Sequence, residues 1–467
     1  MTDNAAPSPL MSGLLVIFGI TGDLSKRYLL PALYHLEQQN LLPQHFEIIG
    51  VSRRNLASHD LHQLLVTAVS AGEAKPQAAV LQRLNAKVRL VTMDLTQPED
   101  YFNLKHQLDA IEDEHGTCLN RLFYLSIPPH TYGPIIDMLG QAGLHSGCQH
   151  GIADSRVMVE KPFGYDLATA KELITRLHTV FSESQIFRID HYLAKETAQN
   201  ILTFRFANPI FNAGWDRHSI KSITITASEA IGIEGRALFY EPVGALRDFV
   251  QNHLLQLLVL VTMPEPRTMD SAHIHAEKLK TLQAIKTITP AAVTTSATRG
   301  QYQGYRSEVG NDQSITETFA RLRLSIAGDD WRGVPLTLQM GKRLDERRTA
   351  IAIEFAGHGH NTNTLIFRIQ PDEGIVVELL AKTPGLSYAT QAVQMDFSYA
   401  QAFGAGMQPS AYQRVLMDGI RGDQTLFASS AEILESWRIV DAVTREWAKS
   451  GASLITYKPG TSADDIN

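Results

Sequence analysis

Five short, largely apolar runs in the first 160 residues each stop on a glycine, proline or polar residue, and helical stretches fill the gaps between them. The runs are Leu14–Phe18, Phe46–Val51, Val88–Met93, Arg121–Ser126 and Val157–Val159. A strand that is apolar along its whole length needs cover on both faces, as strands of a parallel sheet have. Between the first two runs, Ser25–Gln39 places leucines at 29, 30, 33 and 36, the spacing of a helix. His59–Ser70 is a second such stretch. Strands that alternate with helices in this way specify a doubly wound parallel sheet. Ligands of such sheets bind beyond the carboxyl ends of the strands, and the unusual residues of this half all stand there.

After the first strand, Gly19-Ile20-Thr21-Gly22-Asp23-Leu24 lets the backbone turn tightly and approach a pyrophosphate, with the next helix offering its N-terminus to the anion. The spacing is Gly-x-x-Gly rather than Gly-x-Gly-x-x-Gly, so a plain tight turn is an alternative. A dinucleotide fold that takes NAD usually carries an acid at the end of its second strand. This chain carries Arg53 and Arg54. Arg53 could fork onto a 2′-phosphate and stack on adenine, which favours NADP; the competing reading is a solvated loop arginine. Asp94 and Leu95 end the third strand and are further coenzyme candidates. Glu160-Lys161-Pro162-Phe163-Gly164 ends the fifth. Lys161 there would reach both cofactor and substrate, and Pro162 allows a cis peptide.

The densest chemistry lies just beyond. Arg188-Ile189-Asp190-His191-Tyr192-Leu193-Ala194-Lys195-Glu196 crowds ionisable groups that a core strand could not bury unpaired. If Asp190 starts a helix, His191 and Lys195 share a face and the first-turn N–H groups point at the same place, a site for a substrate dianion. A solvated helix start with a capping Asp is the alternative.

From residue 220 the periodicity changes. Ile220–Thr226 alternates with period two, and Phe319–Ile326, Leu336–Met340, Thr349–Phe355, Leu365–Ile369 and Ile375–Leu380 repeat the pattern. These read as a large, mostly antiparallel sheet, with helices at Ala411–Gly419 and Ala431–Lys449. One apolar helix, Gly244 to about Met263, also carries Asp248, Gln251, Asn252, His253 and Gln256. At about 100° per residue, Asp248, Asn252 and Gln256 fall on one face with His253 close by. A lone core histidine is usually a satisfied one, but a polar strip needs partners, and the strip beside it makes His253 a candidate base. Glu229 follows the first alternating strand. The charged turn Gln339–Arg348 would supply Lys342 to sugar hydroxyls and Arg347 to a phosphate, with a solvated hairpin as the alternative.

The expected architecture is therefore an α/β domain followed by an α+β domain. Residues 1–12 are expected to be a flexible N-terminus, 13–187 a dinucleotide-binding unit, 188–457 a substrate and dimerisation unit, and 458–467 a flexible C-terminus. A net charge of −7 without any basic block argues against nucleic acid. The longest apolar run, Leu254–Met263, is too short to span a membrane. Two cysteines without metal spacing suit a reducing cytoplasm.

Taken together the motifs resemble those of the glucose-6-phosphate dehydrogenase family over Leu14–Trp447. They are Gly-x-x-Gly-Asp-Leu at 19–24, Glu-Lys-Pro-Phe-Gly at 160–164, the 188–196 segment, Arg-Asp-x-x-Gln-Asn-His at 247–253, Phe-Arg-Ile-Gln-Pro at 367–371 and Arg-Gly-Asp-Gln at 421–424. The resemblance implies a Rossmann-like first domain and hydride transfer from C1 of glucose 6-phosphate to NADP, the opening step of the oxidative pentose phosphate pathway, with NAD as the lesser coenzyme. It implies His253 as base and Asp190 as its partner. It also implies His191, Tyr192, Lys195 and Arg347 on the sugar phosphate, and Lys161, Glu229, Asp248, Lys342 and Gln370 on the sugar ring. Gly19, Thr21, Gly22, Asp23, Leu24, Arg53 and Tyr132 are implied on the coenzyme, together with Asp94, Leu95 and Lys161. No metal is required. A homodimer is expected, with a tetramer as the alternative. Ala194 stands where the family signature has Gly, and Ile20-Thr21 where Ala-Ser is common. Val376 and Glu378 do not match the basic and aromatic set that holds a second, structural NADP in some members, which argues against one here. The rivals are a dehydrogenase of another aldose or hexose phosphate and a non-catalytic NADP-binding regulator.

Overall fold

The computed structural model describes residues 12–55, 57–72, 75–148, 153–212, 214–357, 362–404, 408–449 and 454–467. The N-terminal stretch expected to be flexible lies, through residue 11, outside them. The chain forms two compact units. Unit 1 comprises residues up to 164, 168–191 and 409–430, and unit 2 the remainder. The first unit thus runs past the expected boundary to His191 and takes back a late segment of chain.

Unit 1 is built on β1 (Gly13–Phe18), β2 (Phe46–Ser52), β3 (Val88–Thr92), β4 (Asn120–Leu125), β5 (Ser155–Val159) and β6 (Ile186–Arg188), in the order β3-β2-β1-β4-β5-β6. All neighbouring pairs are parallel. The order reverses between β1 and β4, the switch point where such sheets bind ligands. β1 is buried throughout, as its apolar sequence requires. The returning helix Ala411–Arg421 covers the far half of the sheet: Gly419 lies so close to Met158 on β5 that a Cβ would sit 2.9 Å from its sulfur. Arg156 donates to Gly419 O and Ile420 O at 3.2 and 3.1 Å, and Gln424 Nε2 donates to Ile186 O at 3.0 Å.

The cysteines, expected to be reduced, are joined as Cys118–Cys148 with Cα atoms 5.7 Å apart. One precedes β4 and the other precedes β5. These strands are parallel neighbours, so their approaches meet at the same end of the sheet. Their separation of 30 residues carries no sign of this.

Unit 2 is a nine-stranded sheet. Its strands are β7 (Ile220–Glu229), β8 (Ala297–Tyr302), β9 (Phe319–Leu324), β10 (Leu336–Lys342), β11 (Arg348–Phe355), β12 (Asn363–Gln370), β13 (Gly374–Lys382), β14 (Thr390–Ser398) and β15 (Ile455–Tyr457). The order is β14-β13-β12-β11-β7-β10-β9-β8-β15. Pairing is mostly antiparallel, with β7·β10 and β8·β15 parallel. Against the sheet lies the apolar helix, a π-helical segment Leu246–Leu254 that continues as α-helix Leu255–Thr262. Its last turn carries carbonyls that no helical N–H can reach. Side chains satisfy them instead: Arg205 donates to Leu260 O and Met263 O, both at 2.8 Å, Trp215 Nε1 to Val261 O at 2.7 Å and Trp331 Nε1 to Thr262 O at 2.9 Å. Residues 458–467, expected to fray, are packed: Ala463 and Ile466 are buried, and Arg321 donates to their carbonyls at 2.6 and 2.9 Å. Among the described residues, no helix is long and apolar enough to cross a membrane.

A buried ion cluster ties the helix Ser271–Ala284 to the helix beginning at Ser430. Lys278 Nζ and His275 Nδ1 lie 2.7 and 2.6 Å from the fully buried Glu432 carboxylate. Desolvation pushes that carboxyl up, but Lys278 first, and His275 with it, outweigh burial and hold its pKa at about 2. A carboxylate whose folded pKa lies below its ordinary value stabilises fully above that value and loses the contribution as pH falls toward the folded pKa. The loss should therefore run from about pH 4.5 down to about pH 2. Circular dichroism across this window should show a shallower acid transition for Glu432→Gln than for the parent protein.

Candidate active site

In unit 1 the glycine turn follows β1 directly. Gly19 has φ +85°, and a Cβ there would lie 2.5 Å from Ser126 O, so only glycine fits. Gly22 N–H closes the turn on Gly19 O at 2.9 Å, and Ser25 Oγ donates to the same carbonyl at 2.9 Å. Asp23 pairs with Arg27 at 2.8 Å. Beside the turn opens a cavity of about 540 Å³ whose lining includes Thr21, Ser52, the cations Lys26, Arg53 and Arg54 and a single acid, Asp60. Bare backbone at the end of a parallel strand, next to a cationic cavity, fits an anionic dinucleotide. Lys26 and Arg54 join Arg53 there. Lys26 had no sequence signal, because it sits one turn into a helix and becomes a neighbour of β2 only through the fold.

The other coenzyme candidates lie in the same unit. Asp94 is exposed after β3 and accepts from Thr96 N and Oγ1 at 3.0 and 2.8 Å. Leu95 O accepts from Tyr101 OH at 3.0 Å. Leu24 stands in the first turn of the helix that leaves the glycine turn, and Tyr132 is 1% exposed. The Lys161–Pro162 peptide is cis. Next to it, Glu160 is buried and accepts from Tyr124 OH at 2.6 Å. Burial pushes Glu160 up to about 7 against the pull of the Tyr124 and Tyr412 hydroxyls. Sequence reading passed over Glu160 because Tyr412 reaches it from the returning segment.

The 188–196 segment does not start a helix at Asp190. Ile189 still pairs with the sheet, its N–H donating to Val159 O at 2.9 Å, and residues 191–194 form a turn. The helix is Glu196–Ala207 with Lys195 as its N-cap. His191 and Lys195 therefore do not share a helical face. The helix N-terminus is already occupied in unit 2: Glu373 accepts from Thr197 N–H at 2.9 Å and lies 3.8 Å from Lys195 Nζ. Asp190 is buried and His191 partly so, at the close of a unit 1 segment.

In unit 2, Tyr192 and His253 come together. Their ring centroids are 4.4 Å apart, and Phe249 stands 5.2 Å from Tyr192 and 4.9 Å from His253. Gln370 Nε2 donates to Tyr192 OH at 2.7 Å. His253 is 1% exposed. It stands on the π-helical segment, where backbone bonds run from i to i+5, so the spacing of about 100° per residue does not apply. Asp248 is thereby one π-turn from His253. Asn252 Nδ2 donates to Asp248 O at 3.1 Å and its Oδ1 accepts from His253 N–H at 2.6 Å. Gln251 and Gln256 are buried, and Gln251 Nε2 and both polar side-chain atoms of Gln256 have no hydrogen-bond partner among the described residues. Lys342, 2% exposed, pairs with Glu229 and lies 5.2 Å over the Tyr240 ring. Arg347 is exposed in the turn that follows.

A nucleotide-binding parallel sheet with a bare glycine turn, and a second unit holding a buried imidazole and a lysine–glutamate ion pair, define a two-domain oxidoreductase. The match to known proteins is specific. Residues 16–200 fit the model of the glucose-6-phosphate dehydrogenase NAD-binding domain, and 202–465 that of the C-terminal domain of the same enzyme. The chain belongs to the glucose-6-phosphate dehydrogenase family. It is 40% identical to glucose-6-phosphate 1-dehydrogenase 2 of Mycobacterium tuberculosis over 96% of this chain and 90% of that protein. It is 36% identical to glucose-6-phosphate 1-dehydrogenase of Bacillus subtilis over 97% and 96%. A glucose-6-phosphate dehydrogenase solved in complex with its substrate glucose 6-phosphate superposes with a TM-score of 0.91 at 32% identity, covering 98% of this chain and 96% of that one.

Proposed function

We propose that this protein oxidises glucose 6-phosphate at C1 to 6-phosphogluconolactone and reduces NADP. The observation that carries the chemistry is His253, a buried imidazole in ring contact with Tyr192. Imidazole is the side chain whose ordinary pKa suits taking and returning a proton near neutrality. His253 takes the proton of the C1 hydroxyl, Asp190 stabilises the imidazolium that results, and the C1 hydrogen leaves as hydride. Nicotinamide, when bound, is the hydride acceptor. His191, Tyr192, Lys195 and Arg347 hold the sugar phosphate. Lys161, Glu229, Asp248, Lys342 and Gln370 hold the ring, and Lys342 and Glu229 arrive as a paired acid and base that suit hydroxyl groups on both sides. Gly19, Thr21, Gly22, Asp23, Leu24, Arg53, Asp94, Leu95, Tyr132 and Lys161 serve the coenzyme, with the cationic cavity taking the 2′-phosphate. The reading needs no metal.

Steady-state assays with glucose 6-phosphate and free glucose, each with NADP and NAD, test the assignment. A large preference for the phosphorylated sugar is expected, and equal specificity constants would remove the phosphate role of His191, Lys195 and Arg347. Arg53→Asp should raise KM for NADP by about 10²-fold or more while changing that for NAD little, because one charge-assisted phosphate contact is lost and a repulsion added. Equal loss for both coenzymes would place Arg53 elsewhere.

The protein is proposed to act in the cytoplasm, where its charged substrates are held, and as a homodimer. Strand β14 is exposed along most of its length, with Met395 65% and Tyr388 91% exposed nearby. An edge with this much apolar surface suits a second copy. Light scattering at twice the chain mass supports this reading, and a monomer would overturn it.

A further inference from the structure

We infer that the segment 454–467 belongs to the sugar site and that Tyr457 is a positioning residue acting through the main chain of Lys342. The inference rests on the reading of Lys342 as a sugar-binding residue.

The Lys342–Asp345 turn has almost no freedom of its own. Lys342 N–H donates to Thr318 O at 3.0 Å, and Lys342 O accepts from Tyr457 OH at 2.7 Å. Arg343 stands at φ +55°, which a side chain of this kind rarely adopts. Such a residue persists where its surroundings over-determine it, and here they do so from two sides. From β7 and the residues after it, Glu229 O and Ile231 O accept from Leu344 and Arg343 N–H, both at 3.1 Å. From the C-terminal segment, Gly460 N–H donates to Arg343 O at 2.8 Å, and Thr461 O accepts from Asp345 N–H at 3.3 Å. The segment is therefore one of the two walls that shape the turn.

The segment is itself anchored. Tyr457 lies on β15, in parallel register with Tyr302 of β8. It is buried in a cluster with Tyr240, Tyr302, Phe319 and Leu344. Its hydroxyl also lies 2.8 Å from Thr318 Oγ1, and that Oγ1 accepts from Tyr302 N–H at 2.9 Å. Thr318 Oγ1 can give its own proton to the Tyr457 oxygen, and of the two carbonyls facing the Tyr457 hydroxyl, Lys342 O at 2.7 Å is much nearer than Thr318 O at 3.3 Å. Farther on, Gln339 Nε2 donates to Asp464 Oδ1 at 2.8 Å and Arg321 holds Ala463 O and Ile466 O. Tyr240 belongs to the same cluster and its ring lies under the Lys342 ammonium. The hydroxyl of Tyr457 thus sets the backbone of the lysine, and the cluster around it sets the lysine's head.

Tyr457→Phe removes one oxygen and leaves the ring in place. It should raise KM for glucose 6-phosphate about three- to tenfold with kcat within about twofold, the pattern of lost uniform binding. KM for NADP should not move. The decisive readout is a double-mutant cycle with Lys342→Ala. If Tyr457 works through Lys342, adding Tyr457→Phe to Lys342→Ala should produce little further rise in KM. Independent, multiplying effects, or a Tyr457→Phe enzyme with unchanged KM, would overturn the inference and leave the sugar role of Lys342 intact. A Lys342→Ala enzyme with normal KM would instead remove that role and the inference with it. A change in thermal midpoint without a KM effect would mark Tyr457 as a core residue only.

Discussion

His253→Asn should lower kcat by about 10²- to 10⁴-fold, the range a positioned general base supplies. Asparagine has nearly the size of imidazole and keeps a polar edge, so the packing of Tyr192 and Phe249 around position 253 should survive. The side chain cannot accept the proton of the C1 hydroxyl, and this is the step that fails. Binding of glucose 6-phosphate, measured by calorimetry, should stay within about tenfold of the parent, since the proposed role of His253 is in proton transfer and not in holding the phosphate. The acidic limb of the kcat/KM profile should disappear with the imidazole. A variant with near-normal turnover would end the assignment of the base.

The second large effect concerns stability. Arg205→Met should destabilise unit 2 by about 3 kcal/mol, because the carbonyls of Leu260 and Met263 lose charge-assisted donors where water cannot replace them. Arg205 is 4% exposed and is pulled down to about 9 by burial, so it remains a cation at neutral pH. Its charge lies at the negative end of the helix that carries His253, which favours it. Methionine fills similar space, so the cost is that of the unsatisfied helix end rather than of a cavity. Arg205→Lys keeps the charge but can reach fewer carbonyls, and it should fall between the two. Urea unfolding followed by tryptophan fluorescence is well placed to detect this, since Trp215 and Trp331 donate to the same last turn. A methionine variant as stable as the parent would show that the Leu260 and Met263 carbonyls do not depend on Arg205.

How much of this was legible in the sequence depended on distance along the chain. The strands β1–β5 were readable because each is a run of residues with one local pattern. Strand β6 was not, since Ile186–Arg188 is too short to show a period. The π-helical segment was misread because a pattern of apolar residues was taken at 3.6 residues per turn. No composition rule separates the two helices over nine residues. The helix expected at Asp190 begins at Glu196 because Glu373, some 180 residues away, supplies the cap. The polar look of 458–467 hid two buried anchors, Ala463 and Ile466, whose partner is an arginine on β9. Strand-end and motif residues carry their signal in type and place. Glu160's tyrosines, the Arg205 cap and Tyr457 act through contacts that only the folded chain creates.

The return of residues 409–430 to the first unit has a consequence for synthesis. The six-stranded sheet has all its strands once residue 188 has been made, but the helix that covers β5 follows about 230 residues later. At about 5–20 residues per second, the nascent sheet waits roughly 10–50 s with that face open. During this interval Met158 and its neighbours are available to chaperones and to other nascent chains. Ribosome-bound chains ending before residue 409 should therefore be more sensitive to protease than those extended beyond residue 430.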